Sequence, residues 1–258
     1  FNKMQLAIED VKRSECFQII FQNIRTFTDK FCINFDSEKV YIQGMDDSHV
    51  AVFEVMLKKE WFKEYVCENS FTIGIHGAIL SKILNTRDSI QHIIMKCDND
   101  NPDNMDISFT HPSNSFDKHF NMPLIDYESD MMNIPPCDYS VNMEIESKEW
   151  KKIVDQLSNF GDNIHFACKE DSVHLISGTI EGKMDINILS DKIEVYEVDE
   201  GCDIDLYFQL RYLQAMASFQ KVNKNVNIMM SDGMPCCCKF NLDEDNYVQF
   251  YLAPQISD

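Results

Sequence analysis

The sequence predicts an α+β protein made of two similar halves, in which helices cover one face of antiparallel sheets. Three observations carry that prediction: one order of signals is read twice along the chain, each half opens with an amphipathic helix, and short alternating apolar runs fill the rest. The repeat spans roughly residues 4–121 and again 138–254, so the expected organisation is an N-terminal domain over 1–121, a connecting strap over 122–137 and a C-terminal domain over 138–258.

The first helix is expected from Ser14 to Phe31. Phe17, Ile20, Phe21, Ile24 and Phe31 follow helical spacing along one stripe, with Gln18, Gln22 and Arg25 opposite. It leads into FCINFDSEKVYIQG from Phe31, where alternating apolar residues flank an acidic turn, the pattern of a hairpin. A second, shorter helix is expected from Gly77 to Arg87, burying Ile79, Leu80, Ile83 and Leu84 and exposing Lys82 and Asn85, and the strand QHIIMKCD follows from Gln91.

The second half repeats this order. A helix from Ser147 to Phe160 turns Trp150, Ile153, Val154 and Leu157 inward and Lys148, Lys152, Asp155 and Asn159 outward. The hairpin IHFACKEDSVHLIS from Ile164 comes next. A helix from Leu210 to Lys221 buries Leu210, Leu213 and Met216, leaving Arg211, Gln214 and Ser218 outside, and the strand VNIMMSD begins at Val226. Two further alternating runs, MDINIL from Met184 and SFDKHFNM from Ser115, are read as edge strands, one from each half.

Between the halves lies NMPLIDYESDMMNIPPCD, Asn121 to Asp138. A plain tether has no use for Leu124, Ile125, Tyr127, Met131, Met132 and Ile134, which are costly in water unless covered, so a strap lying on a sheet is expected.

The charge is unevenly spread. The chain carries a formal −20, which opposes indiscriminate binding to phosphate. Yet the four expected helices hold Arg25, Lys82, Arg87, Lys148, Lys151, Lys152, Arg211 and Lys221 against only Glu15, Asp29, Glu149 and Asp155. Any single face of this kind is ordinary solvated surface. Four together, polar and weakly basic without aromatic platforms, suit loose phosphate contact with no reading of bases.

Hydrophobic residues at 44% predict a folded chain, and no apolar run approaches the roughly 20 residues of a spanning helix, so no membrane partner is expected. Phe1 in place of methionine is read as a start inside a longer chain. Ten scattered cysteines lack the paired spacing of a disulfide scaffold and predict a reducing compartment. The run Cys236 to Cys238 lacks the second pair a zinc site needs and is read as small apolar strand residues, so no metal is expected. Catalysis is not expected either: there is no glycine-rich phosphate loop, nucleophile elbow or HExxH, and Asp46, Asp47 and His49 on one loop are too few for a nuclease centre.

GMDDSHVAVFEV from Gly44 and FYLAPQI from Phe250, with SKIL at Ser81, LRYL at Leu210 and NIPP at Asn133, resemble the proliferating cell nuclear antigen family of eukaryotic and archaeal sliding clamps, over nearly the whole chain. The resemblance implies the DNA clamp fold: a homotrimeric ring of six domains, helices lining the hole and sheets outside. It implies a DNA polymerase processivity factor, nuclear or at a viral replication site, that encircles duplex DNA, is opened by an ATP-driven loader, recruits replication and repair proteins, and has no cofactor. A heterotrimeric, checkpoint-type subunit or a clamp-like scaffold without DNA tethering are the alternatives.

Carried over residue by residue, Arg25, Lys82, Lys152, Arg211 and Lys221 fall at or near the family's DNA-facing positions. Asn85, Asp155, Asn159 and Ser218 stand where relatives often carry basic residues or histidine, implying weaker DNA contact. The family's client pocket maps onto Met45, His49, Val50, Val52, Leu124, Met132, Ile134, Pro235, Tyr251, Ala253 and Pro254; buried core is the competing reading for Val50 and Val52. The turn CKEDS resembles the one where relatives carry a modified lysine, but here Glu170 takes that place and Lys169 precedes it.

Overall fold

The structure, a computed structural model, describes residues 3–98, 103–113, 116–129 and 131–255. Ser115, Asp130 and Ile256, which belong to segments singled out above, lie outside the described residues.

In the first half the order is β1 (Lys3–Ile8), α1 (Val11–Ile24), β2 (Lys30–Phe35), β3 (Lys39–Met45), β4 (Ala51–Lys58), β5 (Glu64–Cys67), β6 (Phe71–His76), α2 (Gly77–Leu84), β7 (His92–Asp98), β8 (Asn104–Thr110) and β9 (Lys118–Pro123). The second half repeats it element for element: β10 (Val141–Glu146), α3 (Ser147–Leu157), β11 (Asn163–Cys168), β12 (Ser172–Thr179), β13 (Gly182–Leu189), β14 (Val195–Val198), β15 (Ile204–Gln209), α4 (Leu210–Ala217), β16 (Asn225–Met230), β17 (Cys236–Asn241) and β18 (Tyr247–Leu252).

Sheet order repeats as well. The first half has strands in the orders β5-β1-β7-β8-β9 and β4-β3-β2-β6; the second has β14-β10-β16-β17-β18 and β13-β12-β11-β15. The chain is thus an α+β duplication, as the sequence predicts. Two compact units result. The first comprises Phe1–Asp47, Phe53–Met132 and Leu242–Val248; the second comprises Ser48–Val52, Asn133–Asn241 and Gln249–Asp258.

Each unit has its own aromatic core beneath its helices. In the first, Phe17, Phe21 and Phe31 are almost fully buried, with the Phe21 and Phe31 rings 6.0 Å apart. In the second, Trp150, Phe166 and Phe208 play this part, with Phe166 and Phe208 edge to face at 5.7 Å. Both hairpins form where the alternation places them: β2 and β3 pair through Ile33 with Ile42, and β11 and β12 through Phe166 with Leu175.

Helix termini differ from the sequence reading. α1 starts at Val11, because the Asp10 carboxylate caps the helix by accepting from the Arg13 amide at 2.8 Å, and it ends at Ile24. Phe31 belongs to β2, paired with Ile75, and continues the apolar stripe of α1 only because strand and helix feed one core. α2, α3 and α4 end at Leu84, Leu157 and Ala217, short of Arg87, Phe160 and Lys221. Their capping residues Asn85, Ser158 and Ser218 keep helical dihedrals, so the helical spacing outlasts the helix. Ile79, expected in the core, is 37% exposed.

These three helices begin directly at strand ends without a capping side chain. Instead their first amides donate to carbonyls of a loop remote in sequence: Gly77 to Asp29 at 2.7 Å, Ser147 to Lys224 at 2.8 Å and Leu210 to Asp162 at 2.8 Å. Among the described residues no helix is long and apolar enough to cross a membrane.

Candidate functional site

Burial of one apolar stripe decides what each helix shows outside. In the first unit α1 packs on α2, and Gln22 Nε2 donates to Asn85 Oδ1 to tie their ends together. Arg25, at the C-cap of α1, and Lys82, in the last turn of α2, are exposed. In the second unit α3 packs on α4, joined by Gln214 Nε2 donating to Ser158 Oγ at 3.0 Å. Here Lys152 and Arg211 are exposed on the helices, and Lys221 is exposed in the turn beyond α4.

These cations are differently held. Lys152 lies 3.4 Å from Glu149, an exposed pair worth little. Arg211 is fixed more firmly: Nε donates to Gln209 at 3.0 Å, Nη2 to the Tyr212 hydroxyl at 3.0 Å, and the guanidinium stands 4.7 Å from the Tyr212 ring centre. Lys151 is drawn to Asp155 at 2.6 Å.

Arg87, counted with the basic helix faces, is corrected by the structure. It is buried beyond the end of α2, where Nη1 donates to the carbonyls of Asp88, Ser89 and Gln91 and Nε to Gln18, and burial lowers its pKa. Its role is to hold that loop. Arg13, which the late helix start left out, likewise donates to the carbonyls of Glu60 and Trp61.

The apolar positions are placed as follows. In the first unit Met45 ends β3 half-buried, and Leu124 begins the strap, donating its amide to Asp103 at 2.9 Å. The strap is then tied to the sheet at three points. Ile125 bridges to Gly74 with N–H to carbonyl at 3.0 Å, the Cys32 thiol lies 3.2 Å from the Tyr127 carbonyl, and Met132 pairs with the Gln43 side chain. Gly74 permits the first tie, because a Cβ there would stand 2.3 Å from the Ile125 oxygen.

In the second unit His49 takes a positive φ of 59° at an exposed turn, and the Val50 carbonyl accepts the Ala253 amide at 3.0 Å, fastening that loop to the C-terminal segment. Val50, Val52, Ile134 and Pro254 are half-buried; Pro235 and Ala253 are exposed. Tyr251 accepts from Gln249 at 2.9 Å, and Gln255 donates to the Tyr207 carbonyl at 2.7 Å. Neither Val50 nor Val52 is in the buried core.

Gln43, Gly74 and Cys32 escaped the sequence reading. Only Gln43 left a trace: it shares a strand face with Tyr41 and Met45, where a long polar side chain beside an apolar one invites a partner.

Residues 9–132 match the family described as proliferating cell nuclear antigen, N-terminal domain, and residues 133–255 match its C-terminal domain. The chain belongs to the proliferating cell nuclear antigen family. Sliding clamps of this family are non-enzymatic scaffolds that bind DNA and client proteins, and the duplicated α+β halves are their fold.

The remaining sites of a clamp chain can be read from the same geometry. In the CKEDS turn Lys169 and Glu170 are both exposed, and the Glu170 carboxylate accepts the Gly201 amide at 2.7 Å. Among the described residues no three His, Cys, Asp or Glu side chains are grouped to hold a metal. Cys236, Cys237 and Cys238 are consecutive in β17 and all buried. A hydrogen bond with Cys238 together with burial raises the Cys236 pKa well above the usual thiol value. Burial pushes Cys16 and Cys168 up to about 12 and Cys97 up to about 11.

Proposed function

We propose that this chain is a replicative clamp subunit, three copies of which close head to tail around duplex DNA as a polymerase processivity factor. The observation that carries this reading is the exposure of Arg25, Lys82, Lys152, Arg211 and Lys221 on or beside the four helices of a chain whose formal charge is −20. Scattered cations without stacking platforms contact phosphates and ignore sequence, and topology then retains the ring on DNA although each contact is weak.

Ring closure is supported by two strands at sheet ends, β13 and β9. An unlike pair of edges joins head to tail and closes when the rotation fits. Client proteins with a short helical turn and an aromatic pair dock on the positions matched from the family: Met45, Leu124 and Met132 in the first unit, and His49, Val50, Val52, Ile134, Pro235, Tyr251, Ala253 and Pro254 in the second. An ATP-driven loader opens the ring, and the site of action is the nucleus or a viral replication site. The subunit itself needs no cofactor.

The test is mass in solution followed by retention on DNA. A trimer that, after loading, stays on closed circular duplex and slides off linear duplex is expected. A monomer that binds peptides and no DNA would make the chain a protein-binding scaffold, and trimers formed only with other subunits would make it part of a mixed ring.

A further inference from the structure

The strap is tied to the sheet near Met132 by a side chain, not by backbone pairing. Gln43 is buried, with 4% of its surface exposed, and its carboxamide meets the backbone of one residue, Met132, in both directions. Nε2 donates to the Met132 carbonyl at 2.9 Å, and the Met132 amide donates to Oε1 at 2.7 Å. A carboxamide carries the same donor and acceptor as a peptide unit, so Gln43 supplies one rung of a ladder to a segment that the strand itself does not reach.

The orientation of that amide is set from behind. Nε2 also lies 3.2 Å from the Tyr41 hydroxyl and 3.3 Å from Glu54 Oε1, and the Tyr41 hydroxyl donates to the same carboxylate oxygen. Glu54 is itself buried and its Oε1 already accepts from the Tyr41 hydroxyl, so the amide turns its NH2 toward that oxygen and its own oxygen toward the Met132 N–H. Burial, with the hydrogen bond to Glu54, raises the Tyr41 pKa, which keeps that hydroxyl a donor. Every member of the network lies in the first unit.

We infer that Gln43 is a positioning residue for client docking: its two bonds hold Met132 in place, and so it sets client affinity without touching the client. The inference rests on the client reading above. Ile125 and Tyr127 are tied separately to Gly74 and Cys32, so losing Gln43 releases only the Met132 end of the strap. A strap correctly placed for only part of the time weakens binding in proportion to the lost fraction.

The experiment uses the full chain and a synthetic peptide bearing a glutamine, an aliphatic residue and two aromatics at the family's client spacing. Peptide affinity is measured by calorimetry and Met132 amide exchange by NMR, for wild type, Gln43→Leu, Gln43→Glu and Met132→Asp. Gln43→Leu keeps the bulk and removes both polar groups; faster exchange at Met132 and about tenfold weaker binding are expected. Gln43→Glu removes the donor and sets a carboxylate against Glu54, Tyr41 and the Met132 carbonyl. Its binding defect should ease on acidification as the introduced carboxyl protonates and can donate, a signature that simple loss of packing lacks.

Unchanged Met132 exchange in Gln43→Leu, or faster exchange with unchanged affinity while Met132→Asp binds poorly, would overturn the positioning role. Should Met132→Asp bind as well as wild type, the client reading itself fails and the role of Gln43 falls with it. If Gln43→Leu does not fold, the pH response of Gln43→Glu decides: a defect independent of pH overturns the inference.

Discussion

Replacing Gly74 with alanine tests how tightly the strap is seated. The backbone at Gly74 does not have a positive φ, so alanine meets no conformational obstacle and the whole effect is steric. The added Cβ would lie 2.3 Å from the Ile125 carbonyl oxygen and 3.0 Å from the Tyr127 Cβ. Ordinary contact needs the strap to retreat by roughly 1 Å, which breaks the 3.0 Å bond from the Ile125 amide to the Gly74 carbonyl. Losing such a bond costs about 1 kcal/mol, while removing a glycine from the unfolded chain returns about 0.4–1 kcal/mol. Global stability should therefore change by less than ~1 kcal/mol, a melting shift of no more than about 4 °C for a chain this long. The Ile125 amide, by contrast, should exchange roughly tenfold faster. Amide exchange beside a thermal melt separates the two effects. Unchanged protection at Ile125 would refute the steric argument, and a large fall in melting temperature would show that Gly74 serves the core instead.

Three further outcomes follow. Met132→Asp should weaken binding of the client-type peptide at least about tenfold by calorimetry, because a short docked segment draws most of its affinity from a few side chains, and trimer mass should not change. Ile186→Pro, in the β13 edge, should yield monomers by light scattering; an intact trimer would count against closure through that strand. Lys82→Ala should reduce the salt dependence of DNA binding by about one unit of log–log slope, equally on unrelated sequences; a sequence-dependent change would mean that Lys82 reads bases.

The hairpins were legible because alternation on both sides of an acidic turn admits few other structures. Helix existence was legible for the same kind of reason, and helix termini were not. Phe31 continues the helical spacing of α1 from a strand, and Asp10 caps a helix that starts three residues before the expected Ser14. Exposure of Lys82, Lys152 and Arg211 follows from helical phase alone. Arg87 shows where that reasoning stops: three residues past the end of α2 the phase is lost, and three carbonyls of a local loop take the charge. The strap anchors were illegible in a stronger sense. Gly74 and Ile125, or Gln43 and Met132, are paired by tertiary placement, and nothing local to either partner signals the other.

The buried thiols give this chain an unusual chemical temperament. At neutral pH a thiol with a pKa near 12 is ionised in on the order of one molecule in 100,000, and alkylating agents and peroxides react with that fraction alone. Cys236, Cys237 and Cys238 add the barrier of burial on both faces of β17. Burial shields Cys32, Cys67 and Cys97 in the same way, which leaves half-buried Cys137, which precedes β10, and half-buried Cys202, which precedes β15, as the thiols that maleimide reaches with the least steric barrier.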